Sequence, residues 1–288
     1  MIKIYDRKNK KYYEEKEKGN GVLKLLYNTF IGRIILKIII HPVISKLGSI
    51  YNKSYFSKFK ISRFIKTHNI VIEDFEEKNY KSFNDFFTRD IKSKKRPFSK
   101  DKIHFISPAD SKLLVYNITE DLKLNIKDST YTLNELVNNE EDLSEYKNGL
   151  CLVFRLTIDD YHHYCYPDNG VFIKNNFIKG KLHTVRSISK NYKIYKVNQR
   201  EYSILNTENF GEIIYIEVGA LMVGKIINSN KCKFLKGEEK GHFELGGSTI
   251  VILLKDNQIK IDKDILENSK KDIETKVRYR EKIGVKIK

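Results

Sequence analysis

Residues 243–254 read FELGGSTIVILL, so two glycines and a serine directly precede an uninterrupted apolar run. A short, β-branched apolar run of this kind is typical of a strand that is buried on both faces. Similar runs occur at Leu150–Leu156 and Ile213–Val218, with Asn, Asp and Gly in the segments between them. These runs predict that the chain after residue 100 forms a mostly antiparallel β domain.

The front of the chain has another pattern, in which large apolar residues recur at helical spacing. We expect two or three helices over residues 21–70, with breaks near Gly32, His41-Pro42 and Gly48. Residues 1–20 are charged and are predicted to be irregular, whereas residues 81–91 form a short helix capped by Ser82. The predicted fold class is α+β, with N-terminal membrane-associating helices followed by a mostly antiparallel β domain.

The distribution of charge suggests a role for the front helices. The net charge is +17, and residues 1–100 hold 24 Lys/Arg and 10 Asp/Glu, a net of +14. A charge run is usually a solvated face, but here basic residues interrupt an apolar helical pattern, as in helices that lie in a membrane interface. Each Lys or Arg near an anionic leaflet adds roughly 1 kcal/mol. We therefore divide the chain into a basic amphipathic membrane-associating region, residues 1–75, and a catalytic β-rich domain, residues 76–288.

Other partners and locations follow from what the sequence lacks. Nucleic acid also attracts positive charge, but no recognisable nucleic-acid-binding motif accompanies it, so no nucleic-acid partner is predicted. We find neither an apolar signal core nor an 18-residue apolar run, and we expect a peripheral protein at the cytoplasmic face of the cell membrane. The three cysteines, Cys151, Cys165 and Cys232, favour a reducing compartment.

Two segments could carry chemistry. Gly247-Ser248 is in most proteins a glycine turn that enters a strand. It also meets the needs of a self-cleaving bond, because glycine leaves its carbonyl open to attack and the strand holds the serine in place. Residues 155–170 place Asp160, His162, His163 and Cys165 at the end of a strand. Their spacing does not match a zinc site, so no metal is predicted.

Five motifs in order resemble the phosphatidylserine decarboxylase family over about residues 80–255. They are Phe86-Phe87-Thr88-Arg89 with Arg96-Pro97, Ser107-Pro108-Ala109-Asp110, Arg155-Leu156 with Asp160-Tyr161-His162, Val218-Gly219-Ala220 with Gly224, and Lys236–Gly241 with Gly247-Ser248-Thr249. Each motif alone is weak, and their shared order is what makes the resemblance specific.

The resemblance implies a proenzyme that decarboxylates phosphatidylserine to phosphatidylethanolamine. Ser248 would become a covalent pyruvoyl group when the chain splits after Gly247 into a β chain, residues 1–247, and an α chain, residues 248–288. Asp110 would orient a base, and His162 would handle the substrate. The partners implied are phosphatidylserine, an anionic membrane surface and the two self-derived chains, while a homodimer is left open.

This sequence departs from the family pattern at two positions. Ser111 stands where the family usually has Gly, which is minor. Cys165 stands where the family has a second His, the base of a Ser-His-Asp arrangement, and a neutral thiol does not relay a proton in that way. His162 and His183 rank above His163 as replacements. Cys165 could also act as a thiolate if its pKa were depressed.

Two other functions stay open on the sequence. The motifs encode the cofactor more than the headgroup, so the substrate could be another amine-bearing lipid. The chain could also be a non-cleaving membrane-binding protein on the same fold, which would explain Cys165.

Overall fold

The computed structural model describes residues 2–15, 20–126, 129–184, 187–221, 225–229, 231–245 and 248–287. Its strands are β1 (Ile2–Asp6), β2 (Lys11–Glu15), β3 (His104–Ile106), β4 (Ser111–Asn117), β5 (Lys123–Ile126), β6 (Ser129–Thr132), β7 (Leu150–Leu156), β8 (His163–Cys165), β9 (Gly170–Ile178), β10 (Arg200–Thr207), β11 (Gly211–Val218), β12 (Ile226–Asn228), β13 (Lys233–Phe234), β14 (Glu239–Phe243), β15 (Ser248–Leu254), β16 (Ile259–Ile261), β17 (Glu274–Val277) and β18 (Lys282–Lys286).

Most of the described helices lie between β2 and β3. They are α1 (Asn20–Asn28), α2 (Phe30–Ile39), α3 (Pro42–Lys53), α4 (Lys60–His68), α5 (Phe83–Phe87), α6 (Leu133–Leu136), α7 (Ile194–Val197) and α8 (Lys263–Ser269). Short 3-10 helices cover Tyr55–Phe59, Ile72–Asp74, Ser93–Lys95, Ser144–Tyr146 and Ser187–Tyr192. The predicted α+β class with a mostly antiparallel β part is confirmed.

A ten-stranded sheet in the order β13-β9-β10-β11-β15-β7-β4-β17-β1-β2 forms the centre. Its neighbouring strands are antiparallel, except that β1 runs parallel to β17. The prediction that residues 1–20 are irregular was wrong over 2–15, because β1 and β2 form a hairpin that extends this sheet. Their pairing partner lies at the far end of the chain, so no local pattern indicates it. The boundary at residue 75 stays a prediction.

The central strands are buried on both faces, as their sequences predicted. Side chains alternate along a strand, so Phe154 and Ile252 face one core cluster while Val153 and Val251 face the other. The first cluster also includes side chains of two three-stranded sheets, β12-β14-β8 and β16-β18-β3. The second includes side chains of β5, β6, α6 and α7. The central sheet therefore lies between two apolar clusters, one on each of its faces.

The predicted break at His41-Pro42 is confirmed, since His41 caps α3 and Pro42 is its first residue. The break predicted near Gly32 is confirmed, since α1 ends at Asn28 and α2 begins at Phe30, although Gly32 itself lies in the first turn of α2. The break predicted near Gly48 was wrong, because Gly48 lies inside α3. At Gly32 a Cβ atom would lie 1.9 Å from the carbonyl oxygen of Leu25, so this glycine allows α2 to cross closely over α1. Glycine lowers helix propensity, but tertiary contact overrides that preference here.

Many large apolar side chains of the front helices face outward. The exposed ones between residues 22 and 59 are Val22, Leu25, Phe30, Ile31, Ile34, Ile35, Ile38, Val43, Leu47, Ile50, Tyr51, Tyr55, Phe56 and Phe59. Within the described ranges, none of the helices has both the length and the apolar character that crossing a bilayer requires.

Ser82 caps the next helix as predicted, with its hydroxyl accepting a hydrogen bond from the N–H of Asp85 at 3.2 Å. The helix is shorter than expected and ends at Phe87. Residue Ile91 instead forms an isolated β-bridge with Phe75.

Candidate active site

The candidate residues gather where several central strands of the sheet begin or end, and we call this side the edge of the sheet. In an antiparallel sheet, the start of one strand lies beside the end of its neighbour. The first residue of β15, Ser248, pairs with Leu156 at the end of β7, and Thr249 pairs with Val218 at the end of β11. On the other side of β7, β4 begins at Ser111, directly after Asp110. Topology thus brings four separated motifs to one place.

Ser248 is fully buried, at 0% exposure. Its Oγ has no hydrogen-bond partner among the residues that the structure describes, and the same holds for Oγ1 of Thr249. A buried hydroxyl without a partner is costly and is uncommon in folded proteins. Gly246 and Gly247, which complete the predicted cleavage motif, lie outside the described residues. Ser248 therefore places a buried hydroxyl at the start of β15, and none of the described residues forms a hydrogen bond with it.

His162 lies in the connection between β7 and β8 and is fully buried. Its Nδ1 lies 2.9 Å from the carbonyl oxygen of Asp160, which only accepts, so Nδ1 carries a proton and donates it. The ring packs against Phe87 with 4.4 Å between centroids. The carbonyl oxygen of His162 accepts a hydrogen bond from the N–H of Phe243, three residues before the glycine pair. The imidazole is thus held in one orientation.

A buried ion pair lies two residues before His162, at Asp160, and the sequence analysis missed it. Lys112 Nζ donates to Asp160 Oδ2 at 2.7 Å, and the two side chains are 2% and 6% exposed. The N–H of Thr157 donates to the same oxygen at 2.7 Å. Lys112 and Thr157 thus fix the side chain of Asp160, the residue whose backbone carbonyl accepts from His162. The only sequence signal was a lysine near the start of an otherwise apolar strand.

Asp110 lies at the same edge but in a different arrangement from the one that the resemblance implied. Arg96 donates to both of its carboxylate oxygens, at 3.1 Å from Nε and 2.7 Å from Nη2. The N–H of Tyr279 donates to Oδ1 at 2.6 Å. The described hydrogen bonds of Asp110 therefore come from a guanidinium and a backbone amide, which hold the carboxylate in place.

Cys165 lies beside the turn that carries Asp110, as its position in the family pattern implied. Its N–H donates to the carbonyl oxygen of Pro108 at 3.0 Å, and its Sγ lies 3.8 Å from the carbonyl oxygen of Ser107. Burial raises the pKa of the thiol to about 12. The hypothesis that Cys165 acts as a thiolate is therefore wrong, since the thiol is neutral near pH 7.

His183 lies in a loop rather than on a strand, just after the isolated bridge between Lys181 and Asn198. Its Nδ1 is 3.2 Å from the hydroxyl oxygen of Tyr27 in α1, and its carbonyl accepts from the N–H of Leu221. Burial, and secondarily the charge of Lys181, lower the pKa of His183 to about 4. It is a neutral imidazole at physiological pH, close to the Val218-Gly219-Ala220 end of β11.

His163 lies on β8 and, as predicted, on the same side as Cys165, since both contact Tyr161. Its Nε2 is 3.2 Å from the carbonyl oxygen of Thr88. Its Nδ1 is 3.0 Å from Oε1 of Glu239 on β14. His163 therefore faces Thr88 and Glu239, which lie outside the predicted cleavage machinery.

A second buried ion pair lies near the site. Lys240 Nζ of β14 is 2.5 Å from Oε1 of Glu217 in β11, and neither side chain is more than 1% exposed. Burial raises the pKa of Glu217 to about 7. The pair ties β14, which leads to the glycine motif, to the central sheet. Its sequence signal was a glutamate that interrupts the apolar run Ile213–Val218.

Comparisons with known proteins cover almost the whole chain. A family model described as phosphatidylserine decarboxylase matches residues 83–285, which include Asp110, His162, His183 and Ser248. The chain is 55% identical over 285 residues to phosphatidylserine decarboxylase proenzyme 2 of Clostridium acetobutylicum, with 98% of each chain covered. It is 44% identical over 297 residues to the phosphatidylserine decarboxylase proenzyme of Clostridium botulinum strain Hall, covering 99% of this chain and 100% of the relative. A similar proenzyme of Clostridium beijerinckii is 39% identical over 295 residues, with both chains fully covered at 100%.

Proposed function

Since the chain belongs to the phosphatidylserine decarboxylase family and is a carboxy-lyase that decarboxylates phosphatidylserine, we propose that its working group arises by self-cleavage between Gly247 and Ser248. The observation that carries this proposal is the fully buried Ser248 Oγ, which lacks a hydrogen-bond partner among the described residues. A hydroxyl kept for structure would have a partner, whereas a nucleophile needs a free lone pair.

The cleavage requires three balanced steps. Ser248 Oγ attacks the carbonyl carbon of Gly247 and gives its proton to a base, so the amide becomes an ester and residue 248 gains a free amine. Loss of the Cα proton of residue 248 then expels the Gly247 carboxylate and leaves a dehydroalanine. Addition of one water converts this end into a pyruvoyl group and releases ammonia. The two chains are residues 1–247 and 248–288.

Two buried imidazoles support the base role. Because Nδ1 of His162 donates to the Asp160 carbonyl, Nε2 is the nitrogen with which this ring would take up a proton. His183 has a pKa near 4 and so is unprotonated at neutral pH. We propose His162 as the principal proton carrier, because it is held in the connection between β7 and β8, where its carbonyl accepts from the N–H of Phe243 in the strand that leads to the glycine motif, and His183 as the second candidate. Asp110, bound by Arg96, supplies a fixed negative charge at the same edge.

Ser248 also suits the prosthetic group that it would form. A pyruvoyl group supplies an electron-withdrawing carbonyl that stores the electron pair left when carbon dioxide departs from an amino acid headgroup. Ser248 and His162 are both fully buried, and a proton that His162 takes up at Nε2 could be returned to the substrate carbon. Asp110 and Arg96 remain paired, so they contribute an electrostatic field and a fixed position for the turn, and they do not transfer protons.

We further propose that the front helices bring the protein to the cytoplasmic face of the cell membrane as a peripheral protein. Phosphatidylserine is anionic and stays in the bilayer, so the enzyme has to meet it there. Nine basic residues and no acidic one lie between Gly21 and Ile72. Phe30, Phe56 and Phe59 are 73%, 79% and 73% exposed beside them. Exposed apolar side chains with surrounding cations match the two requirements of interfacial binding.

The test is intact mass spectrometry of the purified chain together with carbon dioxide release from vesicles that contain carboxyl-labelled phosphatidylserine. We expect two chains that meet at residues 247 and 248, the second with a blocked N-terminus, and labelled carbon dioxide in proportion to cleaved protein. An intact 33.9 kDa chain after long incubation would refute self-cleavage. If that intact chain still bound vesicles, the non-cleaving membrane-binding hypothesis would replace the proposal. If labelled carbon dioxide were released only from vesicles that contain another amine-bearing lipid, that lipid would be the substrate.

A further inference from the structure

Three side chains with metal-binding atoms converge between β8 and β14. Nδ1 of His163 lies 3.0 Å from Oε1 of Glu239, and Nδ1 of His242 lies 3.7 Å from the same oxygen. All three ligand atoms lie within 4.8 Å of one another. The self-cleavage chemistry proposed above uses none of these atoms.

A β-bulge explains why Glu239 and His242 face the same side. In a regular strand, residues three apart point to opposite faces. The pairing of β14 with β8 shifts register between Glu239 and Gly241, which inserts Lys240 as an extra residue. Lys240 points inward to Glu217. The bulge therefore returns His242 to the face of Glu239, directly opposite His163.

His163 has the outer contacts of a metal ligand. Its Nε2 donates to the carbonyl oxygen of Thr88, which leaves the lone pair of Nδ1 directed at the cluster. A ligating imidazole generally donates its other N–H to a carbonyl or carboxylate in this way. The ring also stacks on Tyr161, with 4.7 Å between centroids and an angle of 4°. His163 is thus an oriented ligand, and it is only 5% exposed.

The other two ligands are more open to solvent. The side chains of His242 and Glu239 are 25% and 45% exposed. Oε1 of Glu239 faces the Nδ1 atoms of both rings. The ring of His242 stacks on that of His163 at 4.8 Å, so a modest rotation would direct its Nδ1 at a shared ion.

We propose that His163, Glu239 and His242 form a binding site for one divalent transition-metal ion, with Zn²⁺ as the best match. Ligands about 2.0–2.1 Å from a tetrahedral ion lie about 3.3–3.4 Å apart, between the two separations given above. Two imidazoles favour Zn²⁺, Ni²⁺ or Cu²⁺ over the oxygen-preferring Mg²⁺ and Ca²⁺. Three protein ligands leave a fourth position to water.

The site has a structural consequence. It joins β8 to β14, and β14 runs on through Glu244 toward the glycine motif and Ser248. An ion there stabilises the folded chain by RT ln(1 + c/Kd), where c is the free ion concentration, so the stability gained rises with the logarithm of that concentration above the dissociation constant. The sequence predicted no metal because His163 is separated from Glu239 by many residues and the spacing of Glu239 and His242 is not that of one strand face.

Metal binding is measured on the full chain by equilibrium dialysis against Zn²⁺, with elemental analysis, and by the visible absorption of bound Co²⁺. One equivalent is expected, with a rise in the thermal midpoint that follows Zn²⁺ but not Mg²⁺. Glu239→Gln and His242→Gln should each weaken binding at least about tenfold, the scale that even outer-shell changes reach. His163→Gln is avoided because this side chain is buried.

Two controls exclude other sites. Cys232→Ser removes an exposed thiol and His104→Gln removes a partly exposed imidazole, and both should keep the full equivalent. The measurement is repeated on Ser248→Ala, so that metal binding and self-cleavage succeed or fail separately. The proposal is overturned if no saturable equivalent binds, or if binding survives unchanged in both ligand variants while circular dichroism shows them folded.

Discussion

The front helices and the edge of the central sheet reverse the usual placement of polar and apolar groups. On α2 and α3, isoleucines, leucines and phenylalanines face solvent among lysines and arginines. At the sheet edge, Ser248, His162 and the Lys112–Asp160 pair are almost fully buried. Each reversal costs folding free energy unless another interaction offsets it. The first makes sense for a surface that meets lipid, and the second for a site that excludes water.

Contacts at His183 link the two regions. Tyr27 of α1 pairs with His183, whose backbone accepts from Leu221 beyond the end of β11. Tyr27, Leu36 and Ile40 pack in the same cluster as Leu221 and Tyr192. A lipid bound against these helices would therefore lie next to Leu221, in the loop that follows β11.

The largest expected effect is at Ser248. Ser248→Ala removes the nucleophile, so cleavage should stop completely and denaturing electrophoresis should show only the intact chain. The matched control is Thr249→Val, which removes the adjacent buried hydroxyl that also lacks a partner among the described residues. We expect that variant to cleave. A cut chain in Ser248→Ala would assign the nucleophile to another residue.

His162→Gln tests whether the buried edge supplies a proton. Loss of a positioned acid or base typically lowers the rate by 10²–10⁴-fold, and we expect a loss of about that size in carbon dioxide release per cleaved chain. Normalising to cleaved chain separates turnover from maturation. His104→Gln, on a partly exposed ring far along the chain, is the control. Turnover within about threefold of wild type would contradict the assignment.

The exposed helix face is tested by replacing Ile31, Ile34 and Ile38 with Ser together. They are 69%, 50% and 60% exposed and lie on one side of α2. If each loses about 1 kcal/mol of membrane burial, vesicle partitioning falls roughly 100-fold. Cosedimentation with phosphatidylserine vesicles measures it. The matched control is Ile173→Ser with Phe177→Ser, two exposed apolar residues of β9. Equal losses in both variants would remove the special role of the helices.

The contact between the two regions should respond to pH. The folded pKa of His183 is about 4, below the ordinary value of 6.5. As pH falls from 6.5 to 4, the unfolded chain takes up a proton that the folded chain does not, so stability is lost within this window. One proton contributes at most about 1.4 kcal/mol per pH unit. Urea unfolding of His183→Gln should show a shallower decline than wild type, and an identical slope would contradict this origin.

Cys165 should have the smallest effect. With a pKa of about 12, only about one thiol in 10⁵ is ionised at pH 7. Cys165→Ala should therefore leave the rate of cleavage within about threefold of wild type, apart from a small stability loss from the removed sulfur. A time course of chain cleavage on denaturing gels measures it. Complete loss of cleavage in a folded Cys165→Ala protein would make the sulfur part of the machinery.

Much of the fold was predictable because short-range physics sets it. The run after Ser248 and its counterparts in β7 and β11 became central strands, since both faces of such strands face apolar neighbours. Pro42 begins α3 because proline is pre-organised for a first helical turn. Gly32 shows the limit, because its place inside α2 depends on the close approach of Leu25.

For this protein, the sequence by itself determined the strands, the basic apolar front and the motif that ends at Ser248, because periodicity and residue chemistry are local properties. Only the tertiary structure decided that Asp110 pairs with Arg96, that the Cys165 thiol stays neutral and that β1 joins β17. It also decided that a bulge brings His242 to Glu239. These outcomes depend on contacts between distant segments and on exclusion of water, which no local pattern contains.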